Sequence, residues 1–203
     1  MSKKKDPEAK WRTRTWVVDF DDFCDNVIDE LDVLQQVKEK YHDFQCTLFT
    51  IPSRTSPATI KAAKALGDWV KLAPHGYFHT RGECLAWTDT EAYEKIKLAR
   101  DIGICEPVFR APGWLLDANV YDACERLDYV VASHKGYRIP ADGRTSRPGE
   151  YVYNDVTRRR KGTRAIHGHL TPVSGNYIKD MVEKGTLAFG EKRRFLSCVE
   201  AAV

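Results

Sequence analysis

Four clusters hold the side chains best suited to hydrolytic or metal chemistry: Asp21-Asp22, His75-x-x-x-His79, Arg110 and His167-Gly168-His169. Asp21 and Asp22 are adjacent carboxylates at the end of an apolar β-type run. If the strand continues through them they point in opposite directions, so one suits a cation and the other a proton. The alternative reading is an acidic cluster that complements a helix dipole. His75 and His79 are four residues apart and share one face if the segment is a helical turn, where both can hold one cation. Two imidazoles and one carboxylate leave open metal positions for a water and a substrate oxygen; the alternative is two unrelated histidines. A guanidinium at Arg110 beside a buried carboxylate would fix that group's orientation and keep it ionised. Trp114, four residues on, could form an apolar wall. One imidazole of the His167/His169 pair could donate a proton to a leaving group. The two alternate along a strand, so only one faces a given site.

These residues need elements that bring them together. Short β-type runs at 15–20, 45–50, 69–73, 106–110, 129–132, 151–154, 163–167 and 195–199 alternate with helical patterns. Asp25 is placed to cap a helix running to Tyr41, and Ser56-Pro57 to start another that Gly67 ends. Thr88-x-x-Glu91 is a capping box for a helix that stops at Gly103, Asp117 caps the next, and a last helix covers 177–184. Residues 135–150 read as an irregular loop. Regular strand–helix alternation predicts parallel β/α units, as a barrel or an open sheet. Each chemical cluster then follows a strand, and function in such folds collects at the carboxyl ends of strands.

Composition bounds the rest. The chain has 203 residues, 42% hydrophobic and 30% charged, with net charge +3. That excludes collagen, extended coiled coil and intrinsic disorder, and gives no argument for nucleic-acid binding. No run approaches the length of a membrane span, and no strand is followed by a glycine-rich phosphate loop. Residues 1–14 read as a polar arm without the apolar core of a secretory signal, and 15–203 as one domain. The expectation is therefore a cytoplasmic protein whose six scattered cysteines stay reduced. Arg158-Arg-Arg-Lys161 reads as a solvated hairpin, with a basic binding surface as the alternative.

Phe20-Asp21-Asp22, His75-x-x-x-His79, Arg110-Ala-Pro-Gly-Trp114 and Ile166-His167 occur in the order in which they resemble the motifs of the polysaccharide deacetylase family, across residues 15–170. That family includes chitooligosaccharide and peptidoglycan N-acetylglucosamine deacetylases. The resemblance implies an α/β fold, a distorted, incomplete (β/α) barrel. It implies a divalent metal, usually zinc, on Asp22, His75 and His79, with Asp21 as general base and Arg110 orienting it. His167 matches the general acid, with His169 as its rival. Trp114, Tyr77 and His169 are then candidate substrate-binding residues. The implied activity is metal-dependent hydrolysis of an N-acyl, most simply N-acetyl, amide on an oligosaccharide or small molecule. The alternative is a degenerate scaffold that binds an anionic sugar, nucleotide or nucleic acid. The family's glycine after the aspartate pair is Phe23 here, and its serine or threonine after the first histidine is Gly76, so a different pocket entrance is expected. Its aspartate-tryptophan motif on a later strand is missing near Ser133-His134. Cys24 and Cys84 flank the expected site and read as small buried side chains.

Overall fold

A computed structural model describes residues 13–133, 150–152, 163–172 and 176–202. The predicted 135–150 loop and the Arg158–Lys161 run lie outside them, apart from Glu150. The strands are β1 (Arg14–Phe23), β2 (Cys46–Thr50), β3 (Val70–Pro74), β4 (Val108–Phe109), β5 (Val130–Ser133), β6 (Glu150–Val152), β7 (Thr163–His169) and β8 (Arg193–Leu196). The helices are α1 (Glu30–Lys40), α2 (Pro57–Ala65), α3 (Glu83–Ala86), α4 (Asp89–Asp101), α5 (Ala118–Arg126), α6 (Ile178–Glu183) and α7 (Cys198–Ala202).

Every ladder among the described residues is parallel. One sheet runs β3-β2-β1-β7 and the other β4-β5-β6. They join where His75 bridges Arg110, with Arg110 N–H donating to the Pro74 carbonyl (3.1 Å) and Gly76 N–H to the Arg110 carbonyl (2.9 Å). The strand order β6-β5-β4-β3-β2-β1-β7 is a distorted barrel, with no ladder between β6 and β7 among the described residues. β7 pairs along one edge of β1. β8 pairs with Arg14–Val17, while β2 pairs from Asp19 onward, so the two share the other edge.

Period-two alternation decides what β1 shows to each side. Val18 and Phe20 pack outward under α1, α2 and α6. Val17 faces the barrel interior with Phe49 (β2), Ala73 (β3), Val108 (β4), Ala132 (β5) and Leu196 (β8). Asp19 and Asp21 continue that inward row above this apolar floor, each almost wholly buried. A second apolar cluster lies between α4, α5 and β4.

Three expectations change. Asp25 begins only a single 3-10 turn, Asp25–Val27, and α1 starts at Glu30; the Asp25 carboxylate instead accepts from Ser56 N–H at the start of α2 (2.8 Å). The last strand ends at Leu196 rather than residue 199. Ser197 and Glu200 form a reciprocal cap there, with Ser197 N–H donating to Glu200 Oε2 (2.7 Å) and Glu200 N–H to Ser197 Oγ (3.2 Å), so α7 begins at Cys198. Phe23 is fully buried in the main core, so it shapes no entrance. The predicted caps at Ser56, Thr88 and Asp117 are formed. All six cysteines are unpaired, and Cys24 and Cys84 are buried. No helix among the described residues is long and apolar enough to cross a membrane.

Candidate active site

The aspartate pair does not alternate as an unbroken strand would make it. The β1–β2 register slips between Phe20 and Phe23, and Asp22 takes a left-handed φ of 72°. Asp is among the few residues that tolerate this region. The kink turns both carboxylates toward one place: His75 Nε2 lies 3.5 Å from Asp21 Oδ2 and 3.7 Å from Asp22 Oδ1.

The two histidines meet without a helix. His75 closes β3, and Gly76 and His79, both at φ 60°, fold the chain back. Three successive backbone N–H groups in this turn, of Tyr77, Phe78 and His79, donate to the buried Glu83 carboxylate at 3.1, 3.0 and 2.9 Å. The imidazoles end with ring centroids 4.9 Å apart, and His79 Nε2 lies 2.9 Å from Asp22 Oδ1.

Asp22, His75 and His79 each aim one donor atom at a common point, all within 4.8 Å of one another. Tetrahedral zinc with bonds of about 2.0–2.1 Å sets its ligand atoms about 3.3 Å apart; the 2.9 and 3.7 Å separations bracket that value. The protonation states suit a cation as well. The Arg110 carbonyl engages His75 Nδ1 at 3.1 Å, leaving Nε2 with its lone pair toward Asp22. Burial, the largest influence on His75, lowers its pKa and favours the neutral ring that a ligand needs. Asp22 Oδ2 is already taken by Thr171 Oγ1 (2.7 Å) and His169 Nδ1 (3.1 Å), which leaves Oδ1 to the cation. The donor set fits a divalent metal of zinc type.

A second acidic group, Asp19, Asp21 and His167, also gathers its atoms within 4.8 Å, but a side chain fills it. Arg110 Nη1 donates to Asp19 Oδ1 at 2.6 Å and to Asp21 Oδ1 at 2.7 Å, with all three residues buried. The guanidinium lies over the rings of both Phe49 (3.7 Å) and Trp114 (4.4 Å). Burial raises the Asp21 carboxyl, but Arg110, His75 and His167 outweigh it and bring it down to about 2. Asp19 is likewise lowered, the cost of burial being exceeded by Arg110 and by His167. Asp21 is therefore ionised at any ordinary pH.

His167 approaches the same Asp21 oxygen as His75. Its Nδ1 is 2.7 Å from Asp19 Oδ1 and its Nε2 is 3.8 Å from Asp21 Oδ2. Trp114 packs edge-on against the His167 ring (5.2 Å). His169 packs edge-on against the His167 ring (5.0 Å) but bonds Asp22, and its pKa is raised chiefly by that hydrogen bond. A cleft of about 470 Å³ opens here, lined by His79, Arg81, Pro112, Gly113, Trp114 and Leu115. Tyr77 is not among its lining residues; it packs with the α4/α5 cluster. The structure thus brings together Asp21, Asp22, His75, His79, Arg110, His167, His169 and Trp114. The sequence reading omitted Asp19, Glu83 and Thr171. Asp19 had one signal, an aspartate two residues before Asp21 and so on the same strand face.

No family model and no curated protein matches the chain. Solved structures do. A family 4 acetyl xylan esterase from Clostridium thermocellum, in complex with a cobalt ion, is 14% identical, with a TM-score of 0.57 over 93% of this chain and 90% of that one. Peptidoglycan deacetylase PdaC from Bacillus subtilis is 17% identical, with a TM-score of 0.56 over 92% and 88%. A family 4 pseudoenzyme from Bacillus anthracis is 13% identical, with a TM-score of 0.57 over 95% and 66%. The chain has the fold of the family 4 carbohydrate esterases and deacetylases, a distorted, incomplete (β/α) barrel.

Proposed function

We propose that the protein is a metal-dependent hydrolase that removes an acyl group, most simply acetyl, from the nitrogen of a carbohydrate or related small molecule. One observation carries this reading. A cation-suited trio, Asp22, His75 and His79, adjoins a carboxylate held ionised by Arg110, and the His167 imidazole lies 3.8 Å from that same carboxylate. Because the fold also includes a pseudoenzyme, the fold alone is no argument for turnover; the filled site is.

Asp22, His75 and His79 would hold the divalent metal, most simply zinc. When bound, that ion supplies Lewis-acid polarisation of the acyl carbonyl and a lowered pKa for the attacking water. Asp21 takes the proton of that water through Oδ2, the oxygen that faces His75. Arg110 keeps Oδ1 of the same carboxylate in place and prevents its protonation beforehand. An amide nitrogen leaves poorly as an anion, so a proton must reach it as the C–N bond breaks. His167 Nε2, 3.8 Å from Asp21 Oδ2, gives that proton. Trp114 and Pro112 wall the cleft, and Trp114 packs against both the Arg110 guanidinium and the His167 ring.

The test is acetate release from a panel of N-acetylated sugars by zinc-loaded protein, with zinc binding measured beside it. Asp22→Ala and His79→Ala are expected to lose zinc. Asp21→Asn is expected to keep zinc and lose turnover. Zinc binding that is indifferent to His75 and His79, or undiminished turnover in Asp21→Asn, overturns the reading.

A further inference from the structure

We infer that Asp19 is the positioning residue of the acid histidine, holding His167 in the Nδ1–H tautomer so that Nε2 faces the leaving nitrogen. This rests on the hydrolase reading above and adds to it the group that makes His167 a directed donor. The motif that would supply an aspartate from a later strand is missing near Ser133; the carboxylate comes instead from β1, the strand that also carries the base.

The geometry allows little else. Asp19 is fully buried on the inward face of β1, one inward position before Asp21. Its Oδ1 accepts from His167 Nδ1 at 2.7 Å and from Arg110 Nη1 at 2.6 Å. Arg110 Nη1 also lies 3.3 Å from His167 Nδ1. Asp19 is ionised and only accepts, so at 2.7 Å the His167 nitrogen must carry a hydrogen and direct it to Asp19, and the longer approach of Arg110, itself only a donor, is then no hydrogen bond. β7 pairs with β1 so that His167 stands opposite Asp19, and His169 opposite Asp21. The ladder register therefore chooses which histidine receives the carboxylate. His169, the rival acid, spends Nδ1 on Asp22 instead.

Proton balance closes within this group. As the C–N bond breaks, the Nε2 proton moves to the amine, leaving neutral His167 protonated at Nδ1 on Asp19. The proton that Asp21 took from water lies on a carboxylate whose Oδ2 is 3.8 Å from Nε2, and its return restores the imidazolium. One guanidinium thus spans the base and the support of the acid.

Nitrogen-detected NMR of the zinc-loaded protein, at a pH where His167 is neutral, reads the tautomer directly. The Nδ1–H form is expected in the native protein, with Nε2–H gaining in Asp19→Asn. Kinetics give a second reading. 4-Nitrophenyl acetate expels a phenolate that needs no proton, whereas fully N-acetylated chitotetraose expels an amine that does. Asp19→Asn is expected to lose at least about 30-fold more kcat on the amide than on the ester, as His167→Gln does, against the 10²–10⁴-fold range of general acid catalysis. An Nε2–H tautomer in the native protein overturns the inference even if the variant fails to fold; so does an equal loss on both substrates. If native protein hydrolyses neither substrate, the hydrolase reading fails while the tautomer still decides the role of Asp19.

Discussion

Replacing Gly76 with alanine perturbs the site through its support rather than its ligands. A Cβ built there overlaps Glu83 Oε1 and lies 2.7 Å from both Pro112 Cδ and Pro112 Cγ, in a backbone at φ +60°. The left-handed conformation costs an alanine about 1–2 kcal/mol. Displacing Glu83 removes a charged acceptor from three N–H groups, each such bond being worth about 1.5–3 kcal/mol, with part recovered from water at this half-exposed turn. The expected loss is about 3–5 kcal/mol in urea denaturation of the metal-free protein. His79 belongs to the same turn, so zinc affinity should also fall, by about 10- to 100-fold in competition with a chelator. Glu83→Ala removes the overlap in advance. The double variant should therefore be less destabilised than the sum of the singles, a coupling of about 1 kcal/mol or more. A Gly76→Ala protein within about 0.5 kcal/mol of native and unchanged in zinc affinity would refute the reasoning, as would strict additivity with Glu83→Ala.

Arg110→Met leaves two buried carboxylates facing each other without their cation and should cost about 3–5 kcal/mol in denaturant unfolding; a loss below about 1 kcal/mol would show that water already screens them. Asp21 also makes stability depend on acid. Its carboxyl is lowered from 3.8 to about 2 in the folded protein, so its contribution is complete above about pH 4 and lost as pH falls through about 2. That drop corresponds to about 2 kcal/mol. Urea midpoints of Asp21→Asn should fall less steeply across this window, and identical profiles would reject the pairing. Thr171→Val removes the 2.7 Å donor on Asp22 Oδ2 and should weaken zinc by about 10-fold at unchanged thermal stability of the metal-free protein; equal affinity would mean that His169 alone orients the ligand.

Most elements were legible because their signals are local. Ser56-Pro57, Thr88-x-x-Glu91 and Asp117 each mark a helix start in a few residues, and β-rich runs mark the strands between them. The same rule applied to Ser197-x-x-Glu200 would have ended β8 where it ends. Asp22 and the His75–His79 turn were harder. Their geometry is set by a register slip and three left-handed residues, Asp22, Gly76 and His79, and neither an alternating strand nor a helical turn anticipates those. Asp19 was hidden differently. Within a β-rich run it looks like one polar residue in a strand, and only the β1–β7 register and the arrival of Arg110 from β4 show what it faces.

The kink at Asp22 is what allows one strand to serve both halves of the site. Along a regular strand Asp19 and Asp21 would face the interior and Asp22 would face the helices, where no histidine waits. The left-handed turn at Asp22 brings a third carboxylate to the inner side at the mouth of the barrel, without moving the two below it. β1 then presents three carboxylates in a row: Asp19 and Asp21 share Arg110, Asp19 also meets His167, and Asp22 meets the His75/His79 pair. Like charges so close would ordinarily raise one another's pKa. Here the guanidinium, in contact with the Phe49 and Trp114 rings, bonds the first two, and, against the cost of burial, His169, His79 and Thr171 hold the third well below the usual carboxylate range. β1 thus carries both the ionised carboxylate beside the trio and one member of the trio itself.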